Sequence, residues 1–148
     1  MKRRRIVFVL PIAAAIALVL ALGVSTGSAK QQAAYKVAFI YVGPHDDHGW
    51  SQAHDQGRQY VQKQLGSKVQ TTFKELVPEG PQTCQVIESL IRDGNKIIFA
   101  TSFGFQPAMA AAAKKHPDVK FEMATGTIVS KNMAEYFGAA EDAIRYEP

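Results

Sequence analysis

The feature that most limits how this chain can fold is an alternation. Short, β-rich apolar runs at Lys36–Val42, Val69–Val77, Lys96–Thr101 and Lys120–Ala124 are separated by segments whose apolar residues recur at helical spacing. Strands alternating with helices predict β-α-β crossovers, hence a parallel sheet with helices on both faces: a doubly wound, three-layer α/β fold. The first run has no polar alternation, as expected of a strand buried on both faces. Trp50, Ala53, His54, Gly57, Tyr60, Val61 and Leu65 mark the helix that follows it, with Gly66 as the stop. Pro81 opens a second helix with an apolar stripe of Val86, Ile87, Leu90 and Ile91, closed by Gly94. Pro107–Lys115 is the third, stopped ahead of Pro117, and Met133–Phe137 is a candidate fifth strand. Residues 139–146 begin like a further helix. With the common strand order 2-1-3-4, the order reverses between strands one and three, where ligands of such sheets bind. The loops after those two strands, Tyr41–Gly57 and Thr101–Phe105, should therefore lie side by side.

The first 29 residues read as a cleaved secretory signal, with Lys2, Arg3, Arg4 and Arg5 ahead of the apolar stretch Ile6–Val24 and the small residues Gly27, Ser28 and Ala29. The protein is expected to be exported, periplasmic or secreted. No cysteine lies near that junction to carry a lipid. All four charges of the leader are basic, which leaves 13 Lys+Arg against 13 Asp+Glu in residues 30–148. Nothing in that remainder resembles the clustered basic footprint of a nucleic-acid binder. Cys84 is the one cysteine, so no internal disulfide can form, and it reads as a small buried residue of the second helix. Residues 30–148 make one modest domain.

The segment "YVGPHDDHGWSQAHDQG" holds the densest chemistry. His45, Asp46, Asp47 and His48 supply metal-ligand types, yet Pro44 and Gly49 break any helix that would hold them on one face, so a metal site remains the runner-up reading. No G-x-S-x-G, P-loop or G-x-G-x-x-G motif follows a strand, and no nucleophile stands in a fixed relation to an acid/base pair, so no enzyme activity is expected. A ligand-gripping loop uses more of the residues. Trp50 and His54 share a face at the first helical turn, where an indole can stack on a flat heterocycle. Asp47 offers acceptors only, and Ser51 sits among the free N–H groups of the helix start. Each residue also has a plainer role: Asp47 as a helix cap, Trp50 as core, His54 as a packing residue, His45, Asp46 and His48 as solvated loop. In the third-strand loop, Gly104 fits a turn and Phe103 and Phe105 fit a core as readily as a ligand surface.

"KVAFIYVGPHDDHGWSQAHDQG", "TTFKELVPEG", "GNKIIFATSFGF" and "HPDVKFEMATG", in this order behind a leader, resemble the basic membrane protein family of solute-binding proteins, the purine-nucleoside-receptor-like components of bacterial ABC importers. The resemblance runs from Lys36 to Arg145. It implies a type I periplasmic-binding fold, a purine base or nucleoside as cargo, a permease partner and no cofactor. It further implies that Asp47 and Trp50 meet the base, with Ser51, Ser102, Phe103, Gly104, Thr125 and Gly126 around them. Two departures stand out: the usual lipid-attachment cysteine is missing, and residues 30–148 correspond to the first lobe alone, without the second lobe and its ligand contacts. A non-functional remnant is therefore a third reading.

Overall fold

The computed structural model describes residues 33–138; the leader and the expected helix at 139–146 lie outside them. Among the described residues the chain runs β1 (Tyr35–Ile40), α1 (Trp50–Leu65), β2 (Val69–Lys74), α2 (Pro81–Arg92), β3 (Ile97–Ala100), α3 (Gln106–Lys115), β4 (Lys120–Ala124) and β5 (Met133–Tyr136). Single turns of 3-10 helix, Gly66–Lys68 and Phe103–Phe105, precede β2 and α3. All five strands form one parallel sheet in the order β2-β1-β3-β4-β5. The reversal between β1 and β3 is the one expected from the common order 2-1-3-4. β2 and β3 are shorter than their apolar runs: Val77 is buried but lies in the loop beyond β2, and Thr101 follows the end of β3.

The core divides by sheet face. One face carries Ala38, Ile40, Ile98, Ala100, Phe121, Met123 and Met133, closed by Ile87 and Leu90 of α2 and by Ala108, Met109, Ala112 and Ala113 of α3. Alanines on α3 let its backbone come close to the sheet, and burying this apolar surface is the main favourable contribution to the fold. The opposite face carries Val37, Phe39 and Tyr41 with Phe73, Ile97 and Phe99. Phe39 and Phe99 stack there at 4.7 Å between ring centroids.

Helix α1 covers this second face in an unexpected way. Its buried residues are Ser51 and Asp55, while Trp50, Tyr60 and Leu65 of the expected apolar stripe are exposed. Asp55 accounts for the inversion. Its carboxylate accepts from Tyr41 Oη (3.1 Å), Arg58 Nε (2.6 Å) and Gln59 Nε2 (2.6 Å), and Arg58 also lies 4.8 Å over the Phe73 ring. A buried polar network therefore seats α1 where periodicity predicted apolar contact. Between α1 and the strands, Phe39, Phe99, Tyr136, Ala53, His54, Gly57 and Val61 line an open groove of about 370 Å³. Cys84 is a second correction: it is exposed, because the buried stripe of α2 runs through Thr83, Ile87 and Leu90, one position away.

Candidate ligand site at the switch point

Parallel strands deliver their following loops to one end of the sheet, so the loops after β1, β2, β3 and β4 share the carboxyl edge. The first is organised by Asp47. Its Oδ1 accepts from the Gly49 and Gln52 N–H groups, both at 2.9 Å, and its Oδ2 from the Ser51 N–H at 3.0 Å. Asp47 thus caps α1 from two residues ahead of the usual position, and these bonds, led by that from Gln52, hold its carboxyl far below the usual carboxylate range. Glycine at position 43 favours this close packing, since a Cβ there would lie 3.0 Å from Ser51 Oγ and 3.3 Å from Asp47 Oδ2. Ser51 is fully buried beneath that contact.

Trp50 joins this loop to the next. Its Nε1–H donates to the Thr101 carbonyl, which fixes the ring while leaving the residue 45% exposed. The His54 ring packs 4.6 Å from the indole, and its Nδ1 lies 2.8 Å from the Trp50 carbonyl. His54 therefore stands on the wall of the groove described above, where Tyr136 is its next aromatic neighbour at 6.2 Å.

The β3 loop is anchored at its root by Thr101, whose N–H and Oγ1 both donate to the Ile40 carbonyl, at 3.1 and 3.0 Å. Its tip is held by a residue that the sequence did not single out. Glu79, directly ahead of Gly80 and α2, accepts from the Ser102 hydroxyl and from the Gly104 N–H (3.2 Å). The only signal for it was a carboxylate before a helix start, which reads as a helix-dipole partner. The two phenylalanines part company: Phe105 is fully buried in the core, and Phe103 is 57% exposed.

In the loop after β4, Thr125 has φ of +67°, and its N–H donates to the Tyr136 carbonyl at 3.0 Å. Gln106, nearly buried at the start of α3, accepts through Oε1 from the N–H groups of Thr127 and Ile128, the latter at 3.0 Å. A Cβ on Gly126 would come within 3.1 Å of Met123 Cβ and 3.2 Å of that same Oε1, so the close approach of this loop to Gln106 favours glycine.

The histidine-aspartate cluster disperses. His45 bonds Glu75 through both its N–H (2.8 Å) and Nδ1 (2.7 Å) and packs on Phe73, while Asp46 and His48 point to solvent. Among the described residues no three His, Cys, Asp or Glu side chains converge as metal ligands would. What the carboxyl edge does offer is a fixed, half-exposed indole, an exposed phenyl ring and oxygen acceptors, a set suited to a flat ligand bearing N–H donors. Among the described residues no helix is long and apolar enough to cross a membrane.

Residues 34–144 match the family model of the PnrA-like ABC transporter substrate-binding proteins. The chain is 48% identical over 110 residues to a purine-binding protein of Brucella abortus, covering 74% of this chain and 31% of that one. It is 38% identical over 111 residues to a Haloferax volcanii protein named, provisionally, as an ABC transporter glucose-binding protein, covering 75% of this chain and 27% of the other. The chain thus spans about three tenths of the length of these relatives. An ABC transporter solute-binding protein from Conexibacter woesei shares the fold with a TM-score of 0.63 at 16% identity, covering 70% of this chain and 35% of that structure.

Proposed function

The chain belongs to the PnrA-like family of ABC transporter substrate-binding proteins, and on that premise we propose that its carboxyl-edge site takes a purine base or nucleoside for delivery to an ABC permease. The family binds solutes for import and does no chemistry on them. The reading extends to residues 30–148 as the ligand-gripping first lobe of such a protein, acting outside the cytoplasm once the leader is removed. In this reading Asp47 and Trp50 meet the base and Ser102, Phe103 and Gly104 face it, Ser51 and Thr125–Gly126 shape the loops around it, and His54 stands behind the indole. The Brucella relative's purine-binding name supports the cargo.

The observation that carries this reading is Trp50. An indole left half exposed loses hydrophobic stabilisation, and here its N–H is tied to the backbone of the neighbouring loop, so the ring plane is set before any ligand arrives. A preset aromatic plane binds a flat base with little ordering cost, and such stacking is worth about 1–3 kcal/mol.

Trp50 is the one tryptophan, so its fluorescence reports on the site directly. Adenine, guanine, adenosine and inosine are expected to quench it saturably, with ribose and glucose inert. Trp50→Ala should weaken purine binding by roughly 5- to 150-fold by calorimetry, and Trp50→Phe should retain most of it. Quenching by glucose in place of purines would reassign the cargo to the class named for the Haloferax relative.

A further inference from the structure

Three loops meet at the β3 tip, and their hydrogen bonds divide its polar groups unequally. The Thr101 carbonyl receives Trp50 Nε1–H from the loop after β1. The Ser102 hydroxyl and the Gly104 N–H both donate to one oxygen of Glu79, from the loop after β2. Glu79 approaches so closely that a Cβ on Gly104 would lie 2.2 Å from its Cδ, so a larger residue at 104 would displace the carboxylate from this position. A serine hydroxyl has one proton and two lone pairs. With that proton committed to Glu79, Ser102 turns lone pairs alone toward its surroundings. Asp47, filled by three backbone N–H groups, is likewise an acceptor with no proton to give.

We propose that Glu79 is a specificity-determining positioning residue of the ligand site: by accepting the hydrogen bonds of the Ser102 hydroxyl and the Gly104 N–H, it fixes Ser102 as an acceptor and so selects purines that present an N–H donor to the β3 loop. This rests on the purine reading of the site. Glu79 itself acts through Ser102. It is exposed, and its second oxygen makes no protein hydrogen bond among the described residues, so the effect requires only the oxygen that the loop engages. An amide oxygen at the same place can accept the same two bonds, whereas a methyl group cannot. In Glu79→Ala the Ser102 hydroxyl regains a free proton and can donate as readily as accept.

The test has a ligand-free arm and a ligand arm, run on the wild type, Glu79→Ala and Glu79→Gln. In the first, exchange of the Gly104 amide proton is followed by NMR. Exchange should speed up in Glu79→Ala and stay near wild type in Glu79→Gln. In the second, affinities for adenine and for N6,N6-dimethyladenine, which lacks the exocyclic donors, are compared by Trp50 quenching. The preference for adenine is expected to shrink about tenfold in Glu79→Ala and to persist in Glu79→Gln. Unchanged Gly104 exchange in Glu79→Ala overturns the clamp. Faster exchange with an unchanged affinity ratio, or an equal loss of both affinities, overturns the specificity role and leaves Glu79 a structural residue. If the wild type binds neither purine, the purine reading itself falls and the selectivity claim with it, while the exchange arm still decides whether Glu79 sets the loop.

Discussion

Asp47 and Asp55 show how far a single residue type can be read. Asp47 was legible as a cap or a ligand contact because aspartate ahead of a helix has few other uses, and the structure spends both of its oxygens on the backbone of α1. Asp55 was not legible at all. Five residues into a helix, an aspartate reads as solvated surface, and only the arrival of Tyr41 from β1 and Arg58 one turn on makes a buried site for it. Desolvation raises the Asp55 pKa, and its bonds from Arg58, Gln59 and Tyr41 more than reverse the effect. Removing one member of a buried pair leaves the other uncompensated, at a typical cost of about 3–5 kcal/mol. Because Arg58 is partly exposed and Tyr41 and Gln59 remain bonded to Asp55, Arg58→Met should sit at the lower end, about 3 kcal/mol, read from the urea midpoint. The same substitution combined with Asp55→Leu should recover part of that loss.

Among elements, the helices were placed well and their faces less so. α2 and α3 follow the apolar stripes read from the chain because those stripes meet an apolar sheet face. α1 departs because its seat is polar, and Cys84 was misplaced because a 100° error per residue is enough to turn a side chain from core to solvent. The loops owe their shape to contacts between distant segments. Gln106 is the clearest case: it begins α3, yet its side chain holds the β4 loop 21 residues away. Gln106→Ala should leave the Thr127 and Ile128 N–H groups without that partner, costing about 1–3 kcal/mol. Faster amide exchange at residues 127 and 128, with β3 unaffected, is the measurement that checks it.

On the scale of the whole molecule, charge bonding sets a pH window. Asp47, Glu75, Glu88 and Asp118 are held below their ordinary values by hydrogen bonds from Gln52, His45, Lys115 and Lys96 respectively, and Asp55 joins them. A carboxyl with a depressed folded-state pKa stabilises above its unfolded value and loses that contribution as pH falls through the folded one. The melting temperature should therefore decline once pH drops below the ordinary values of 4.5 and 3.8. Glu122, raised by burial, costs stability above its folded value and regains it as pH falls toward 4.5, so it adds to the rise toward the maximum. His45 runs the other way: its pKa is raised, chiefly by Glu75, so its stabilisation is complete below 6.5 and fades as pH rises through the folded value. Thermal unfolding followed from pH 2 to 8 should show a maximum between 4.5 and 6.5, and Glu75→Gln should flatten its alkaline side.

The sequence by itself determined the α/β alternation, and so a parallel sheet, because apolar period and punctuating glycines and prolines are local properties that survive in one dimension; its consecutive motifs carried the family, while the switch point and the two facing loops followed from the strand order common to such sheets. The tertiary structure decided which oxygen meets which proton: that Trp50 reaches Thr101, that Asp55 is buried, that His45 pairs with Glu75 away from its neighbours, and that Glu79 closes on Ser102 and Gly104. These bonds join residues brought together only when parallel strands deliver their loops to a common edge, and a hydrogen bond, unlike burial, depends on position to within a few tenths of an ångström.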